Sequence, residues 1–348
     1  MNNYISPELE LAQYKEKYAL RNNVTKLGVL FILYDLIFMY IMKRVFVYVY
    51  YAISTRSLNF NQTIMNKYYE VNSDLIKSSM FSMLYSCFVI LMSLIFAVIT
   101  AHYIGIRVLN TIKVNKKSIR LGLLAYPIML LTNTCLTYVT SIITNIFKKN
   151  GTTIPTADFS VDKASASAII LTILYLVVVA PIAEEIVFRG FILKAITPFS
   201  RKGAIVLSAL LFALMHKNIP QAVGAFGIGI IFAIIDTKAN SIVPSIIMHS
   251  LNNLLPCLLD INASAHSTVI VIIYNVLFRA IVLVGIAILA YKGRPLFSLK
   301  SETESEESAL SERKKRFEIF LNPLILIYII TLLSSLVFNL IEANAHRG

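Results

Sequence analysis

The chain has 348 residues, of which 57% are hydrophobic and only 15% are charged, and its mean hydropathy is +0.71. Soluble domains are typically about 45–50% apolar and about 25% charged, so this composition excludes an ordinary soluble domain. A formal net charge of +13 would suggest nucleic-acid binding in a soluble protein. Here the basic residues are expected to orient membrane helices instead, and no nucleic-acid partner is predicted.

Apolar runs of the length of a membrane-spanning helix recur along the whole chain. A span needs about 20 mostly apolar residues. Six runs reach that length, at 27–50, 80–100, 121–146, 168–196, 268–291 and 317–341. Three shorter runs lie between the fourth and the fifth, near 203–216, 222–236 and 241–259. The pattern predicts an all-α, polytopic transmembrane helical bundle with about 8–9 spans embedded in a lipid bilayer.

Basic residues cluster in every second loop between these runs. They precede the first span, follow the second and the fourth, and precede the last: Lys15, Lys17, Arg21 and Lys26; Arg107, Lys113, Lys116, Lys117 and Arg120; Lys194, Arg201 and Lys202; Arg313, Lys314, Lys315 and Arg316. Basic loops are retained on the cytoplasmic side. We therefore predict a multi-pass protein of the cell membrane with a cytoplasmic N-terminus, and no cleavable signal peptide, since the start of the chain is polar.

Four sections can be distinguished by composition. Residues 1–165 are predicted to hold the N-terminal transmembrane helices, 166–291 the functional core, 292–316 a charged cytosolic linker, and 317–348 a C-terminal transmembrane helix. The core is singled out because it holds most of the polar residues that lie in apolar surroundings.

The run "VVVAPIAEEIVFRGFIL" places two glutamates and an arginine inside a predicted span. Each charge at the centre of a membrane helix costs roughly 2.5–3.5 kcal/mol on insertion scales. Glu185 and Arg189 are spaced i, i+4, with the acid first, so they can neutralise each other. Glu184 points about 100° away from this pair. The spacing therefore predicts a buried ion pair that leaves Glu184 free for another role.

Hairpin geometry brings further polar residues to the depth of Glu184. The turn "PFSRKG" centres near residue 200, with Glu184 and His216 at equal distances along the chain on either side. His249 and Asn253 share one face of a later helix at a similar depth. A single membrane histidine is more often a packing residue than a catalyst, and a single asparagine often joins helices. Four such groups at matched depth favour a functional site.

Two other intramembrane charges serve as a comparison. Asp35 lies in "FILYDLIFMY" and Arg279 lies in "IIYNVLFRAIVLV". Neither is accompanied by a polar cluster of this kind, and we expect structural pairing for both.

Three motifs in the core occur in a recognisable order. "EEIVFR" (184–189) fits E-E-x-x-x-R, "FALMH" (212–216) fits F-x-x-x-H, and "HSLNN" (249–253) fits H-x-x-x-N. Together they resemble the CPBP family, which comprises the CAAX prenyl endopeptidases and the bacteriocin-processing or Abi membrane proteins. The resemblance covers roughly residues 168–260 and implies an intramembrane glutamyl endopeptidase.

The resemblance also implies a role for each matching residue. Glu184 would act as general base on a water held by His216, while His249 and Asn253 would stabilise the oxyanion. The residues supporting the site would be Glu185 and Arg189. No cofactor is implied. The expected partner is a membrane-associated peptide or protein substrate, and the biological outcome would be peptide maturation, bacteriocin immunity or surface-protein processing.

Two alternatives remain open from the sequence. Glu184, His216 and His249 could be the ligands of a zinc-dependent membrane protease, since two histidines and a glutamate can bind zinc. The same residues could also only pack, in a non-catalytic membrane scaffold or immunity protein. The glutamyl mechanism is favoured because all three motifs are intact.

Overall fold

A computed structural model describes residues 6–59, 61–76, 79–155, 166–264, 268–299 and 309–345. The regular structure of these residues is helical, without strands. The helices before the core are α1 (Pro7–Ile32), α2 (Met39–Thr55), α3 (Gln62–Val71), α4 (Ser73–Ile76), α5 (Ser79–Tyr103) and α6 (Lys116–Lys149). Those that follow are α7 (Ala166–Leu174), α8 (Ala180–Glu185), α9 (Lys194–Ile196), α10 (Arg201–Met215), α11 (Ile219–Ala239), α12 (Val243–Ser264), α13 (Thr268–Phe297), α14 (Glu312–Phe320) and α15 (Pro323–Ala345).

Seven stretches of the described chain are long and apolar enough to cross a membrane. They are Pro7–Thr55, Met80–Tyr103, Lys116–Lys149, Ile169–Ile196, Ile219–Ala239, Val271–Phe297 and Pro323–Ala345. The protein is therefore an all-α, polytopic membrane protein, as predicted. Two further helices, α10 with 15 residues and the more polar α12, belong to the same bundle. The total of eight or nine spans stays a prediction.

Two helices of the N-terminal section pack into the core, since α5 contacts α7 and α8, and α6 contacts the helices that follow them. Helix α6 lies against α11, α12 and α13. A Cβ added to Gly122 of α6 would lie 3.0 Å from the Cα of Pro244 at the start of α12, so a larger residue would push the two helices slightly apart. The loop before α6 is fixed as well, because the Lys113 amide donates to Ser241 Oγ at 3.1 Å. The packing thus crosses the predicted boundary at residue 165.

Helices α1 and α14 meet next to the turn between α9 and α10. Lys17 on α1 forms an ion pair with Glu318 on α14 at 2.8 Å, and Lys315 pairs with Glu16 at 2.9 Å. Ser200, in the turn, donates a hydrogen bond to Glu312 at 2.8 Å. Of the predicted linker 292–316, residues 300–308 lie outside the described part, and α14 begins at Glu312. The turn is therefore held by the helix that ends the linker.

Candidate active site

The helix that carries both glutamates is irregular on either side of them. α7 continues into a π-helical segment, Tyr175–Val179, and α8 is followed by a second, Ile186–Leu193. In the first segment the amide of Ala180 donates to the carbonyl of Tyr175, five residues earlier. The next donor in this pattern would be Pro181, which has no N–H. The carbonyl of Leu176 therefore lacks its helical partner, and π-helical segments are frequent at functional sites.

Asn253 supplies the missing donor. Its Nδ2 donates to the Leu176 carbonyl at 2.9 Å. An amide side chain has two N–H groups, so one remains available after this bond. Because Pro181 leaves the Leu176 carbonyl without a helical donor, Asn253 can bond to it, and this bond fixes the side-chain amide of Asn253.

Glu185 and Arg189 form the ion pair predicted from their spacing. Both side chains are fully buried, and Arg189 Nη1 lies 3.1 Å from Glu185 Oε2. Arg189 Nη2 also donates to the carbonyl of Gly229 at 3.3 Å. Its guanidinium carbon lies 4.4 Å from the ring centre of Phe212 and 5.2 Å from that of Phe232. The arginine is thus enclosed by one carboxylate, one carbonyl and aromatic rings.

His249 extends this pair into a chain of charged and polar groups. Its Nδ1 lies 2.8 Å from Glu185 Oε1, and its Nε2 lies 3.9 Å from Glu184 Oε2. Because an ionised carboxylate only accepts, Nδ1 carries a proton and Nε2 faces Glu184. The spacing predicted the pair of Glu185 with Arg189 but not this second partner. Glu185 also orients the histidine, and the order of contacts is Arg189, Glu185, His249, Glu184.

His216 is placed by the end of a helix. It follows the last residue of α10, and its Nδ1 lies 2.9 Å from the carbonyl of Phe212. A carbonyl only accepts, so Nδ1 is the donor and Nε2 is left for another partner. Lys217, with a φ of 55°, then reverses the chain. Asn218 caps α11 by accepting from the amide of Gln221 at 2.9 Å.

One cavity of about 320 Å³ collects four of the six predicted site residues: Glu184, His216, His249 and Asn253. The hairpin estimate had placed these four at similar depth. Glu185 and Arg189 do not line this cavity and are fully buried. The side chain of Glu184 is 15% exposed. Its Oε2 is buried without a hydrogen-bond partner among the described residues, so this carboxylate is not committed to another side chain as Glu185 is.

The rest of the wall was not predicted. It consists of Thr172, Ile173, Tyr175, Leu176, Ala180, Gln221, Asn252, Pro256 and Cys257. Asn252 links the site to α6, since Asn133 Nδ2 donates to Asn252 Oδ1 at 3.2 Å. A polar signal was present in the sequence, because Asn133 interrupts the apolar run 121–146. Its partner on α12 could not be read from that run alone.

Asp236 is a second residue that sequence reasoning missed. It is buried on α11, and its Oδ1 accepts from the amide of Ser245 in the first turn of α12 at 3.0 Å. This bond satisfies one of the free amides at the start of the helix that carries His249. The signal would have been an acid at the end of the apolar run 222–236.

The remaining predictions concern metal binding and the two comparison charges. Within the described ranges, no three His, Cys, Asp or Glu side chains are grouped so as to hold a metal ion. The arrangement therefore gives the zinc alternative no support, and the metal requirement stays to be tested. Arg279 is exposed on α13. Neither it nor Asp35 has an ion pair within the described part of the chain, so the expected structural pairing is not seen there.

A comparison with protein-family models finds a match for the segment that carries these residues. Residues 166–255 match the family described as "Type II CAAX prenyl endopeptidase Rce1-like", and this segment contains all three motifs. No curated protein and no solved structure matches the chain. The fold and the matched segment define a membrane-embedded protease of the endopeptidase type. The match lies within the segment for which the sequence showed a resemblance to the CAAX prenyl endopeptidases, and it confirms that resemblance for this part of the chain.

Proposed function

We propose that the protein is an intramembrane glutamyl endopeptidase of the cell membrane, with Glu184 as the general base. The observation that carries this proposal is the cavity shared by Glu184, His216, His249 and Asn253. Glu184 is the acid that faces the cavity, whereas Glu185 does not line it and is held by Arg189 and His249. A carboxylate with a free acceptor atom is suited to take a proton from water.

The reaction would proceed in two proton transfers. Glu184 removes a proton from a water molecule oriented by His216 Nε2, and the resulting hydroxide attacks the carbonyl carbon of the scissile peptide bond. The tetrahedral intermediate carries a negative oxygen. Its collapse breaks the C–N bond, and Glu184 returns the proton to the leaving amine. The products are an amine and a carboxylic acid, which then gives its proton to the solvent or to the amine, and the enzyme is restored.

His249 and Asn253 are suited to stabilise the negative oxygen. The unused N–H of Asn253 is one donor, since the other is bonded to Leu176. His249 Nε2 is the second donor when the ring is doubly protonated. In that state Glu184 and Glu185 balance Arg189 and His249, so the four groups have no net charge. Charges in a poorly solvated site are stable only when they are balanced in this way, and fixed donors aimed at a developing charge are usually the largest catalytic contribution.

The cavity walls support a membrane-associated peptide or protein as substrate. Apolar side chains of Ile173, Leu176 and Pro256 border the same space as the charged groups. These apolar side chains can pack against apolar residues of a substrate peptide, while the charged and polar residues of the cavity act on its peptide bond. Peptide maturation, bacteriocin immunity and surface-protein processing would differ in the peptide that is released.

The test is a comparison of membrane-derived peptides from cells that carry the wild-type protein or Glu184→Gln. The exposed Glu342 on α15 provides a matched control, Glu342→Gln, which keeps the same chemical change away from the cavity. Peptides present with the wild type and with Glu342→Gln should be absent with Glu184→Gln. Asn253→Ala should reduce the same peptides. Identical peptide sets in all four strains, at equal protein levels, would refute the proposal.

A further inference from the structure

A groove lined by basic residues lies at one end of the bundle, away from the catalytic cavity. It is formed by the beginning of α6 and the ends of α11 and α13, and has a volume of about 510 Å³. We call it the basic groove; its lining is Lys116, Lys117, Arg120, Leu121, Leu124, Lys238, Lys292, Pro295 and Leu296. A second cavity of about 410 Å³ adjoins it along α6.

The charges of the basic groove are all of one sign. Five cationic side chains line it and no carboxylate does. None of the five has an ion pair with any residue in the described parts of the chain. Like charges that converge on one concave surface repel one another. The groove is therefore complementary to an anion.

The positions of the cationic residues on α6 give a second indication that the groove binds an anion. Lys116 and Lys117 occupy the first turn of α6 and Arg120 the second, and no acidic residue accompanies them in the first turn. The N-terminus of a helix carries a partial positive charge, so cations there are unfavourable. Lys238 differs, because it lies near the end of α11 and donates to the carbonyl of Pro295. Helix stability thus accounts for Lys238 but opposes the three α6 cations, whose charge is suited both to a cytoplasmic position and to an anionic ligand.

Polarity changes along the depth of the groove. Its floor is apolar, with Leu121 and Leu124 one turn deeper along α6 than Lys117 and Arg120, and Leu296 of α13 buried beside them. The 34 residues of α6 span about 51 Å, more than the roughly 30 Å of hydrocarbon in a bilayer, so its end projects to the headgroup region. A cationic rim above an apolar floor is complementary to a membrane lipid with an anionic headgroup, because the headgroup can contact the rim while the acyl chains contact the floor.

We propose that the basic groove binds an anionic phospholipid of the adjacent leaflet. Its phosphate contacts Lys116, Lys117 and Arg120, and the first carbons of its acyl chains lie against Leu121 and Leu124. Basic pockets between transmembrane helices are suited to such headgroups. The lipid holds the ends of α6, α11 and α13 together. This site is independent of the protease reaction, and its test needs no substrate.

The test is a titration of the purified full-length protein with phosphatidylglycerol and with phosphatidylcholine of the same acyl chains, followed by native mass spectrometry. The variant Lys116→Gln/Lys117→Gln/Arg120→Gln removes the rim charges. Its matched control, Lys148→Gln/Lys149→Gln, removes two exposed charges at the other end of the same helix. Wild type and control should prefer phosphatidylglycerol. The rim variant should bind it at least about tenfold more weakly, since each basic residue near a membrane surface contributes to attraction of anionic lipid.

Two further measurements separate a lipid from a free anion. Leu124→Trp fills the floor and keeps every cation, so it should also weaken phosphatidylglycerol binding. Inorganic phosphate should fail to displace the lipid. The proposal is overturned if the rim variant binds phosphatidylglycerol like the wild type, if the control loses as much binding as the rim variant, or if phosphatidylcholine binds equally well. Displacement by inorganic phosphate, or unchanged binding by Leu124→Trp, would likewise overturn it, because either would indicate a simple anion site.

Discussion

The two neighbouring glutamates should respond differently to the same substitution. Glu185→Gln removes the carboxylate from a fully buried arginine and from the Nδ1 of His249. Removing one partner of a buried pair costs about 3–5 kcal/mol, because the other charge stays buried. Glu184→Gln instead changes a partly exposed group whose Oε2 has no hydrogen-bond partner among the described residues, so its effect on stability should be about 1 kcal/mol or less.

Yield and thermal unfolding in detergent measure stability, and peptide release measures activity. Glu184→Gln should abolish cleavage at near wild-type yield and unfolding temperature. Glu185→Gln should lower all three. The double variant Glu185→Gln/Arg189→Gln removes the stranded charge, so it should recover much of the yield while His249 remains without its orienting carboxylate and activity stays low.

These expectations can fail in two ways. If Glu184→Gln and Glu185→Gln have indistinguishable yields and activities, the different roles assigned to the two acids are wrong. If the double variant is as unstable as Glu185→Gln alone, the cost does not come from an unpaired arginine.

Cysteines at Glu184 and His216 should cross-link through a short thiol reagent in a background without native cysteines, because both positions line one cavity. A cysteine at Arg279 should join neither, and the opposite pattern would contradict the site. Activity should persist in chelator, with far less bound zinc than protein; loss that zinc restores would make Glu184 a ligand. Pro181→Ala should lower kcat by about tenfold, less than the ~10²–10³ of a lost oxyanion donor. The reason is that the backbone N–H introduced by this substitution would compete with Asn253 for the carbonyl of Leu176. An unchanged kcat would refute this role of Asn253.

Local spacing was sufficient to predict part of the site. The i, i+4 separation of Glu185 and Arg189 predicted their ion pair, and the chain lengths around the turn near residue 200 predicted that Glu184 and His216 share a depth. Both arguments use only the rise and rotation of a helix, which depend little on tertiary packing. The structure contains both features.

Contacts between distant helices could not be predicted in the same way. The bond from His249 to Glu185 joins residues 64 apart, and its existence depends on how α12 rotates against α8. The bond from Asn253 to Leu176 requires a π-helical segment, which a proline permits but does not dictate. The entry of α6 into the core also escaped prediction, because an apolar run does not reveal which of its faces meets another helix.

The internal pairing of Glu185 and Arg189 bears on how the chain enters the membrane. Each charge alone would cost roughly 2.5–3.5 kcal/mol at the centre of an inserting helix. The two lie on one helical segment, at 3.1 Å, so they can neutralise each other before any other helix arrives. His249 comes later in the chain and can enter the bilayer as a neutral ring. The segment with the two glutamates can therefore be inserted first, and the remaining contacts of the cluster can form during helix assembly within the bilayer.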